Sequence, residues 1–311
     1  MLYSSGVGAI VGAALAALRP GDVLLMTDNA YETSRKVAGG LLKQLGIETR
    51  YFDPLDIAGF ASQFDNRTRA VLLESPGSLT MEICDVPALA AIARARDAAV
   101  LIDNTWATSL GFPALAKGCD ISIQALTKHV GGHSDVMMGA CNAGADWYPR
   151  LRETAQQLGQ VVSPDDAALA LRGLRTMSVR LERATASALT IAQWLRGRAE
   201  VAEVLFPVLP NTQGHDLWRR DFTGGCGLLT LLLADGIDDA ARCRMIDNLE
   251  LFGIGYSWGG FESLALPIDP ARIRTATRWP SHRLAVRLSI GLEHPEDLIA
   301  DLDRGFAAIA G

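Results

Sequence analysis

Short apolar runs alternate with helical stretches through the first half of the chain, and this alternation constrains the fold more than any other feature. The predicted strands are residues 23–26, 48–52, 71–73, 100–102, 121–126 and 137–141, and the predicted helices are residues 9–18, 34–45 and 87–97. Short apolar strands alternating with helices are typical of a mainly parallel sheet covered by helices on both faces. The sequence therefore predicts an α/β fold.

Longer helical stretches follow in the second half. We predict helices over residues 147–159, 165–172, 177–196 and 237–249, strands over residues 226–233 and 286–290, and a last helix from about Pro295. Because the third of these helices would cross from one part of the chain to the other, we expect two domains. They are a large domain over residues 1–174 and a smaller α/β domain over residues 175–311.

Polar or aromatic residues lie at or just past the ends of four predicted strands. They are Tyr31, Glu74, Asp103 and Lys128. Because the carboxyl ends of parallel strands meet at one edge of a sheet, and ligands gather there, this pattern predicts a binding crevice. We assign no catalytic role to Glu74.

Lys128 is the most informative of the four residues. It ends an apolar run in the segment ISIQALTKHVGGHSD. Burial would lower its pKa and leave part of it as a neutral, nucleophilic amine, which suits a Schiff base with an aldehyde cofactor. The alternative is a lysine that caps a strand or pairs with a surface carboxylate. Position alone favours this alternative. The residues at the other strand ends favour the Schiff base instead.

Other positions carry two interpretations each. Tyr31 could stack on a flat cofactor ring or cover an edge of the core. The glycine loop at Gly6 could bind an anion or only permit close packing. Arg287 lies within the apolar run LAVRLSI and could pair with a substrate carboxylate if it faces inward, or point to solvent if it faces outward. The glycine turn at 256–263 could present N–H groups to a ligand or only connect two elements.

Composition excludes several classes of protein. The 311 residues carry 29 basic and 35 acidic side chains without a basic block, which argues against nucleic acid or an anionic membrane as partner. No apolar run reaches the roughly 18 residues of a membrane span, and we expect no signal peptide. Five scattered cysteines without a CxxC pair predict reduced thiols and a cytoplasmic location, with no zinc or other metal site.

Eight motifs, in order along essentially the whole chain, resemble those of one enzyme family. They are DNAYE, LLESPGSLTME, IDNTWAT, TKHVGGHSDV, RGLRTM, RRDFTGG, YSWGGFESL and VRLSIGLE. The chain resembles the Cys/Met-metabolism group of fold-type I pyridoxal 5'-phosphate (PLP) enzymes, and within it the cystathionine β-lyase branch. The DNTW and SWGG versions favour that branch over the γ-synthases and γ-lyases.

The resemblance implies a catalytic pair, Lys128 and Tyr31. Lys128 would hold PLP as a Schiff base and take the Cα proton of the substrate, while Tyr31 would stack on the cofactor ring. Asp103 would pair with the pyridine nitrogen. Arg287 would bind the α-carboxylate of the substrate, helped by the backbone at Ser257 and Trp258.

The same resemblance places the cofactor phosphate at the N–H groups of Gly6 and Val7 and at the Thr127 hydroxyl. Two departures bear on this site. Ala125 stands where many members have a serine, which removes one phosphate contact. Family members also carry an N-terminal arm that brings a Tyr-x-Arg motif to the phosphate of a neighbouring subunit, and we expect this arm to be absent here.

The expected reaction is β-elimination from L-cystathionine, which gives homocysteine, pyruvate and ammonia and serves trans-sulfuration and methionine biosynthesis. The alternatives are a lyase for another sulfur amino acid, of the cysteine desulfhydrase or methionine γ-lyase type, and a shortened PLP-binding protein with little activity. The family also implies a homo-oligomer, a dimer of dimers with shared active sites.

Overall fold

A seven-stranded sheet forms the centre of the first half of the computed structural model, which describes residues 1–310. Its strands lie in the order β1-β7-β6-β5-β4-β2-β3. They are β1 (Leu2–Tyr3), β2 (Val23–Thr27), β3 (Glu48–Phe52), β4 (Thr68–Glu74), β5 (Ala99–Asp103), β6 (Ile121–Ala125) and β7 (Gly139–Ala143).

Strands β2 to β6 are parallel, and β7 pairs in the antiparallel sense with both β6 and β1. The side chains of β2, β4, β5 and β6 are mostly buried because helices cover both faces of the sheet. The α/β fold with a mainly parallel sheet is therefore confirmed. The helices are α1 (Gly6–Ala17), α2 (Glu32–Val37), α3 (Ile57–Ser62), α4 (Val86–Arg94), α5 (Thr108–Gly111), α6 (Tyr148–Gln157) and α7 (Pro164–Leu174).

The second half folds around a smaller, five-stranded sheet with the order β10-β11-β12-β9-β8. Its elements are α8 (Met177–Arg196), β8 (Val201–Leu205), α9 (His215–Asp221), β9 (Leu228–Leu233), α10 (Asp239–Asp247), β10 (Gly253–Ile254), β11 (Leu264–Ile268), β12 (Ala285–Ser289) and α11 (Pro295–Ala307). Long α8 runs between the two sheets in the sequence, as predicted. The boundary between Leu174 and Arg175 stays a prediction.

Some elements differ from the prediction for identifiable reasons. The helix predicted over residues 34–45 starts at Glu32 and passes from α2 into a π-helical turn over Ala38–Leu42. Strand β11 was missed because it contains Pro267, which has no N–H to donate. The structure tolerates Pro267 because β10 pairs only with the first two residues of β11, so no strand needs that N–H.

A close helix contact brings the N-terminus of α1 to the carboxyl edge of the large sheet. A Cβ atom added to Gly6 would lie 2.8 Å from the Cβ of Ala125, at the end of β6. Any larger residue at 6 would push the helix away from the strand. The small side chain of Ala125 therefore lets the start of α1 approach the segment that carries Lys128.

A buried carboxylate clamps a loop of the second half onto the end of β2. Asp28 accepts the backbone N–H groups of Thr275, Ala276 and Thr277 at 2.8–3.1 Å and pairs with Arg35 at 3.1 Å. Burial raises the pKa of Asp28, but these hydrogen bonds together outweigh burial and hold the pKa below its usual value. The clamp fixes the chain next to Tyr31.

No helix within residues 1–310 has both the length and the apolar character that crossing a bilayer requires.

We expect Asp28→Asn to lower the free energy of unfolding at pH 7 by about 2–3 kcal/mol, because it removes charge-assisted hydrogen bonds from a buried site. Since the folded-state pKa of Asp28 is lowered, its contribution is present above the unfolded pKa and is lost as pH falls. The difference in the free energy of unfolding between Asp28→Asn and wild type, measured by urea denaturation, should therefore narrow only below about pH 4. Asp216→Asn, at a highly exposed side chain, is the control. Equal losses of unfolding free energy in both variants would contradict a stabilising role of the Asp28 hydrogen bonds.

Candidate active site

A cavity of about 270 Å³ opens at the carboxyl edge of the large sheet, between it and the small sheet. All nine residues that the sequence singled out for a site line this cavity. They are Gly6, Val7, Tyr31, Asp103, Thr127, Lys128, Ser257, Trp258 and Arg287. The structure thus brings together strand ends of the first half and a turn and strand of the second half. Their chemical roles stay predictions.

Lys128 lies just past β6, and its side chain points to the second half of the chain. Its Nζ donates a hydrogen bond to Ser257 Oγ at 2.7 Å and lies 5.1 Å from the centre of the Trp258 ring. No carboxylate within residues 1–310 forms an ion pair with it. The alternative of a lysine paired with a surface acid is therefore wrong.

Burial and the nearby positive charge of Arg287 lower the pKa of Lys128 to about 8, and the negative charge of Asp103 only partly opposes them. A pKa of about 8 leaves about a tenth of this amine neutral at pH 7. The site therefore holds a nucleophilic amine and potential proton acceptor close to physiological pH.

Asp103 ends β5 and is oriented by its neighbour Thr105. Both the N–H and the hydroxyl of Thr105 donate to Asp103 Oδ1, at 3.0 and 2.5 Å. The same hydroxyl accepts the N–H of Ala125 at 2.9 Å, which ties the ends of β5 and β6 together. Within residues 1–310, Asp103 Oδ2 accepts no hydrogen bond, and Asp103 lines the cavity. One carboxylate oxygen is thus left for a partner there.

The N-terminus of α1 forms another wall of the cavity. Ser5 caps this helix by accepting the N–H of Gly8 at 3.0 Å, while the N–H groups of Gly6 and Val7 have no partner within residues 1–310. Free N–H groups at a helix start attract anions. Thr127, across the cavity, exchanges hydrogen bonds with the backbone of Met138 at 3.1 and 3.2 Å.

Arg287 faces inward from β12, and only 5% of it is exposed. The alternative of an outward-facing arginine is therefore wrong. One guanidinium nitrogen donates to the carbonyls of Tyr256 at 2.7 Å and Ser257 at 3.2 Å. Burial lowers its pKa to about 10, so the group keeps its charge at neutral pH. Since it meets backbone carbonyls and no carboxylate, its other donors are available to an anion in the cavity.

Sequence reasoning missed two functional contacts and left one residue without a role. The Thr105 hydroxyl contacts Asp103 and the Ser257 side chain contacts Lys128, and only the first contact has a signal in the sequence. The motif IDNTWAT does contain Thr105, and a threonine two residues after a strand-end aspartate is the signal that could have been used. Glu74 binds the backbone N–H of Tyr31 at 2.6 Å.

Comparison with known proteins agrees with these features. The model of the Cys/Met metabolism PLP-dependent enzyme family matches residues 1–307. The chain belongs to this family. It is 44% identical over 314 residues to the cystathionine β-lyase MetC of Escherichia coli, with 99% of this chain and 80% of that protein covered. It is 45% identical to a putative cystathionine β-lyase of Rhizobium johnstonii, with 99% and 78% covered.

The fold of the family is also seen in a solved structure. The crystal structure of metB from Corynebacterium glutamicum superposes with a TM-score of 0.92 at 28% identity, with 98% of this chain and 80% of that chain covered. The chain therefore has the fold of the fold-type I PLP enzymes.

The residues in the cavity fit the cofactor that this family uses. PLP needs an amine for its aldehyde, a carboxylate for its ring nitrogen and donors for its phosphate. Lys128 supplies an amine with a lowered pKa, and Asp103 supplies a free carboxylate oxygen. The free N–H groups at the start of α1 supply anion donors, where a Cβ on Gly6 would clash.

We expect Thr105→Val to raise the dissociation constant of PLP about tenfold, because it removes the hydroxyl that orients Asp103 and favours its ionised form. Thr105→Ser keeps the hydroxyl and should bind PLP like wild type. The constants are measured by titrating cofactor-free protein and following the visible absorbance of bound PLP. Equal constants for wild type and Thr105→Val would contradict the role of this hydroxyl.

Proposed function

We propose that this chain is a PLP-dependent cystathionine β-lyase that cleaves L-cystathionine to homocysteine, pyruvate and ammonia. The observation that carries the proposal is the placement of the Lys128 amine in a cavity shared with Asp103 and Arg287. An amine, a carboxylate and a guanidinium are what a carbon–sulfur lyase for amino acids needs. The near full-length similarity to proteins named cystathionine β-lyases supports the choice of substrate.

Five residues of the chain would hold the cofactor. Lys128 would bind its aldehyde, Asp103 its ring nitrogen, and the N–H groups of Gly6 and Val7, with the Thr127 hydroxyl, its phosphate. When bound, PLP supplies an electron sink for the electron pair left on Cα.

Tyr31 would lie against the face of the cofactor ring. Its backbone is held by Glu74 on one side and lies close to the Asp28 clamp on the other. The contact with Glu74 fixes the residue before the first turn of α2, where Tyr31 is the N-cap. An aromatic ring fixed in this way excludes water from one side of the reacting centre.

Arg287 would bind the α-carboxylate of the substrate with the donors that its backbone contacts leave free. A guanidinium binds a carboxylate through two parallel hydrogen bonds, which fix the orientation of Cα. Ser257 and Trp258, in the adjoining turn, would complete this subsite. The α-proton would then lie toward Lys128.

Lys128 would take the Cα proton as a general base once substrate binding has freed its amine. Its hydrogen bond to Ser257 Oγ keeps Nζ on the substrate side of the cavity. The bond between Cβ and sulfur then breaks, and the sulfur leaves with the electron pair as the homocysteine thiolate. Water converts the remaining three-carbon fragment to pyruvate and ammonia.

Two other activities occur among more distant relatives. The chain is 31% identical to an L-methionine γ-lyase of Pseudomonas putida and 34% identical to an L-alanine/L-glutamate racemase of Wolbachia pipientis wMel. Both identities are lower than the 44% to the β-lyase of Escherichia coli. A lyase for another sulfur amino acid is therefore the second candidate.

We further propose a cytoplasmic homo-oligomer, built as a dimer of dimers with shared active sites. All five cysteines are free thiols, which suits a reducing compartment. Large apolar side chains are exposed on and near α6, α7 and α8, where another copy could cover them. They include Val161, Leu171, Leu174 and Val179.

The decisive experiment measures products from the PLP-loaded protein. We expect pyruvate release from L-cystathionine to exceed release of keto acid from cysteine or methionine. Lys128→Ala should abolish turnover and the visible absorbance of bound PLP, whereas Lys43→Ala, at an exposed lysine, should change neither. Preference for methionine would favour the second candidate, and absorbance without pyruvate would indicate a binding protein. Turnover in Lys128→Ala would contradict the role of this lysine.

We expect Arg287→Lys to lower kcat/KM for cystathionine about 10- to 100-fold, chiefly through KM, because a lysine cannot form the two parallel hydrogen bonds. Arg283→Lys, at an arginine paired with exposed Asp235, is the matched control. Steady-state pyruvate release at a series of cystathionine concentrations checks this. An unchanged KM in Arg287→Lys would remove the arginine from the carboxylate subsite.

A further inference from the structure

Glu74 is a carboxyl group that lines the cavity and that the elimination reaction does not use. It ends β4, and its register partner on the neighbouring parallel strand β5 is Asp103. Both side chains line the cavity. Since neighbouring strands are about 4.8 Å apart, two carboxyl groups lie side by side in a site largely shielded from water.

One oxygen of Glu74 has a defined task. Its Oε2 accepts the backbone N–H of Tyr31 at 2.6 Å. Tyr31 is the N-cap of α2 and has no side-chain cap, so the glutamate satisfies an N–H at the start of this helix. The backbone N–H of Glu74 in turn donates to Thr27 Oγ1 at 3.2 Å, at the end of β2. Glu74 thus ties Tyr31 to the edge of the sheet.

The two carboxyl groups differ in what surrounds them. Burial raises the pKa of Asp103, but the two hydrogen bonds that it accepts from Thr105 and the nearby charge of Lys128 oppose this rise and favour its ionised form. Burial, and then the negative charge of Asp103, raise the pKa of Glu74 well above its usual value, although hydrogen bonds from Tyr31 and Ser78 partly oppose them. When like charges share a buried site, one group keeps its proton.

We propose that Glu74 is a positioning residue that works as a neutral carboxylic acid. It anchors Tyr31, and it leaves the single negative charge of the carboxyl pair on Asp103, where the ring nitrogen of PLP needs it. This inference rests on the cofactor in the proposed function. It does not depend on which amino acid the enzyme cleaves.

Two cations and three carboxyl groups line the cavity. Besides Glu74, the titratable groups that line it are Tyr31, Glu32, Asp103, Lys128, Tyr256 and Arg287. Glu32 is already paired with Lys36 at 2.6 Å and is partly exposed, so it contributes little net charge inside. A second ionised carboxylate would compete with Asp103 for the stabilising effect of Lys128.

The test compares Glu74→Gln with Glu74→Ala in the PLP-loaded protein, with Glu203→Gln on β8 as a remote control. A glutamine keeps an oxygen for the N–H of Tyr31 and carries no charge. If Glu74 is neutral, the pH midpoint of the visible absorbance of bound PLP should stay within about 0.3 units of wild type in Glu74→Gln. Removing an ionised carboxylate would destabilise the protonated form of the bound cofactor and lower the midpoint by about one to two units.

The anchoring role predicts a different result for Glu74→Ala. We expect the PLP dissociation constant to rise about tenfold in this variant and to remain near wild type in Glu74→Gln. A midpoint lowered by about a unit or more in Glu74→Gln, equal impairment of both variants, or wild-type affinity in Glu74→Ala would each overturn the proposal.

Two measurements keep this outcome separate from other failures. Circular dichroism and the thermal midpoint of the cofactor-free variants report folding. If Glu74→Ala does not fold, the pH midpoint of the PLP absorbance in Glu74→Gln still tests the proposal. Pyruvate release is measured in parallel. Bound PLP without pyruvate would refute the lyase and leave the Glu74 result valid, whereas a wild-type chain that binds no PLP would overturn both.

Discussion

The parallel register of β4, β5 and β6 is the constraint on which the site depends. Because these strands run the same way, Glu74 lies opposite Asp103, and Lys128 follows the end of the next strand. Side chains alternate between the faces of a strand, so a slip of one residue in β5 would turn Asp103 away from the cavity. The pairing and packing of the buried strands thus determine which side chains reach the cavity.

Electrostatics then makes the buried groups depend on one another. Arg287 helps to lower the pKa of Lys128, while Asp103 opposes this effect. The negative charge of Asp103 in turn raises the pKa of Glu74. In a medium of low effective dielectric these couplings are strong, so changing any one group resets the proton occupancy of the others. The reactivity of the amine belongs to the cluster and not to the lysine alone.

Much of this arrangement could be predicted from the sequence, because strand ends follow from apolar periodicity, which needs no tertiary knowledge. The placement of Asp103, Lys128 and Tyr31 at one edge was of this kind. The direction of the Arg287 side chain could not be predicted, because alternation along a strand does not show which face is buried until the covering element is known. The hydrogen bond that Lys128 donates to Ser257 joins residues 129 positions apart, and only the assembled fold creates it.

The cavity draws its walls from both halves of the chain, with the start of α1 and the ends of β5 and β6 on one side and β12 on the other. A molecule that fills it would touch both sheets and bind only the folded state. At a free concentration one hundred times its dissociation constant, such a ligand adds about 2.7 kcal/mol to stability. The supply of cofactor would then act on the stability of the folded chain as well as on its chemistry.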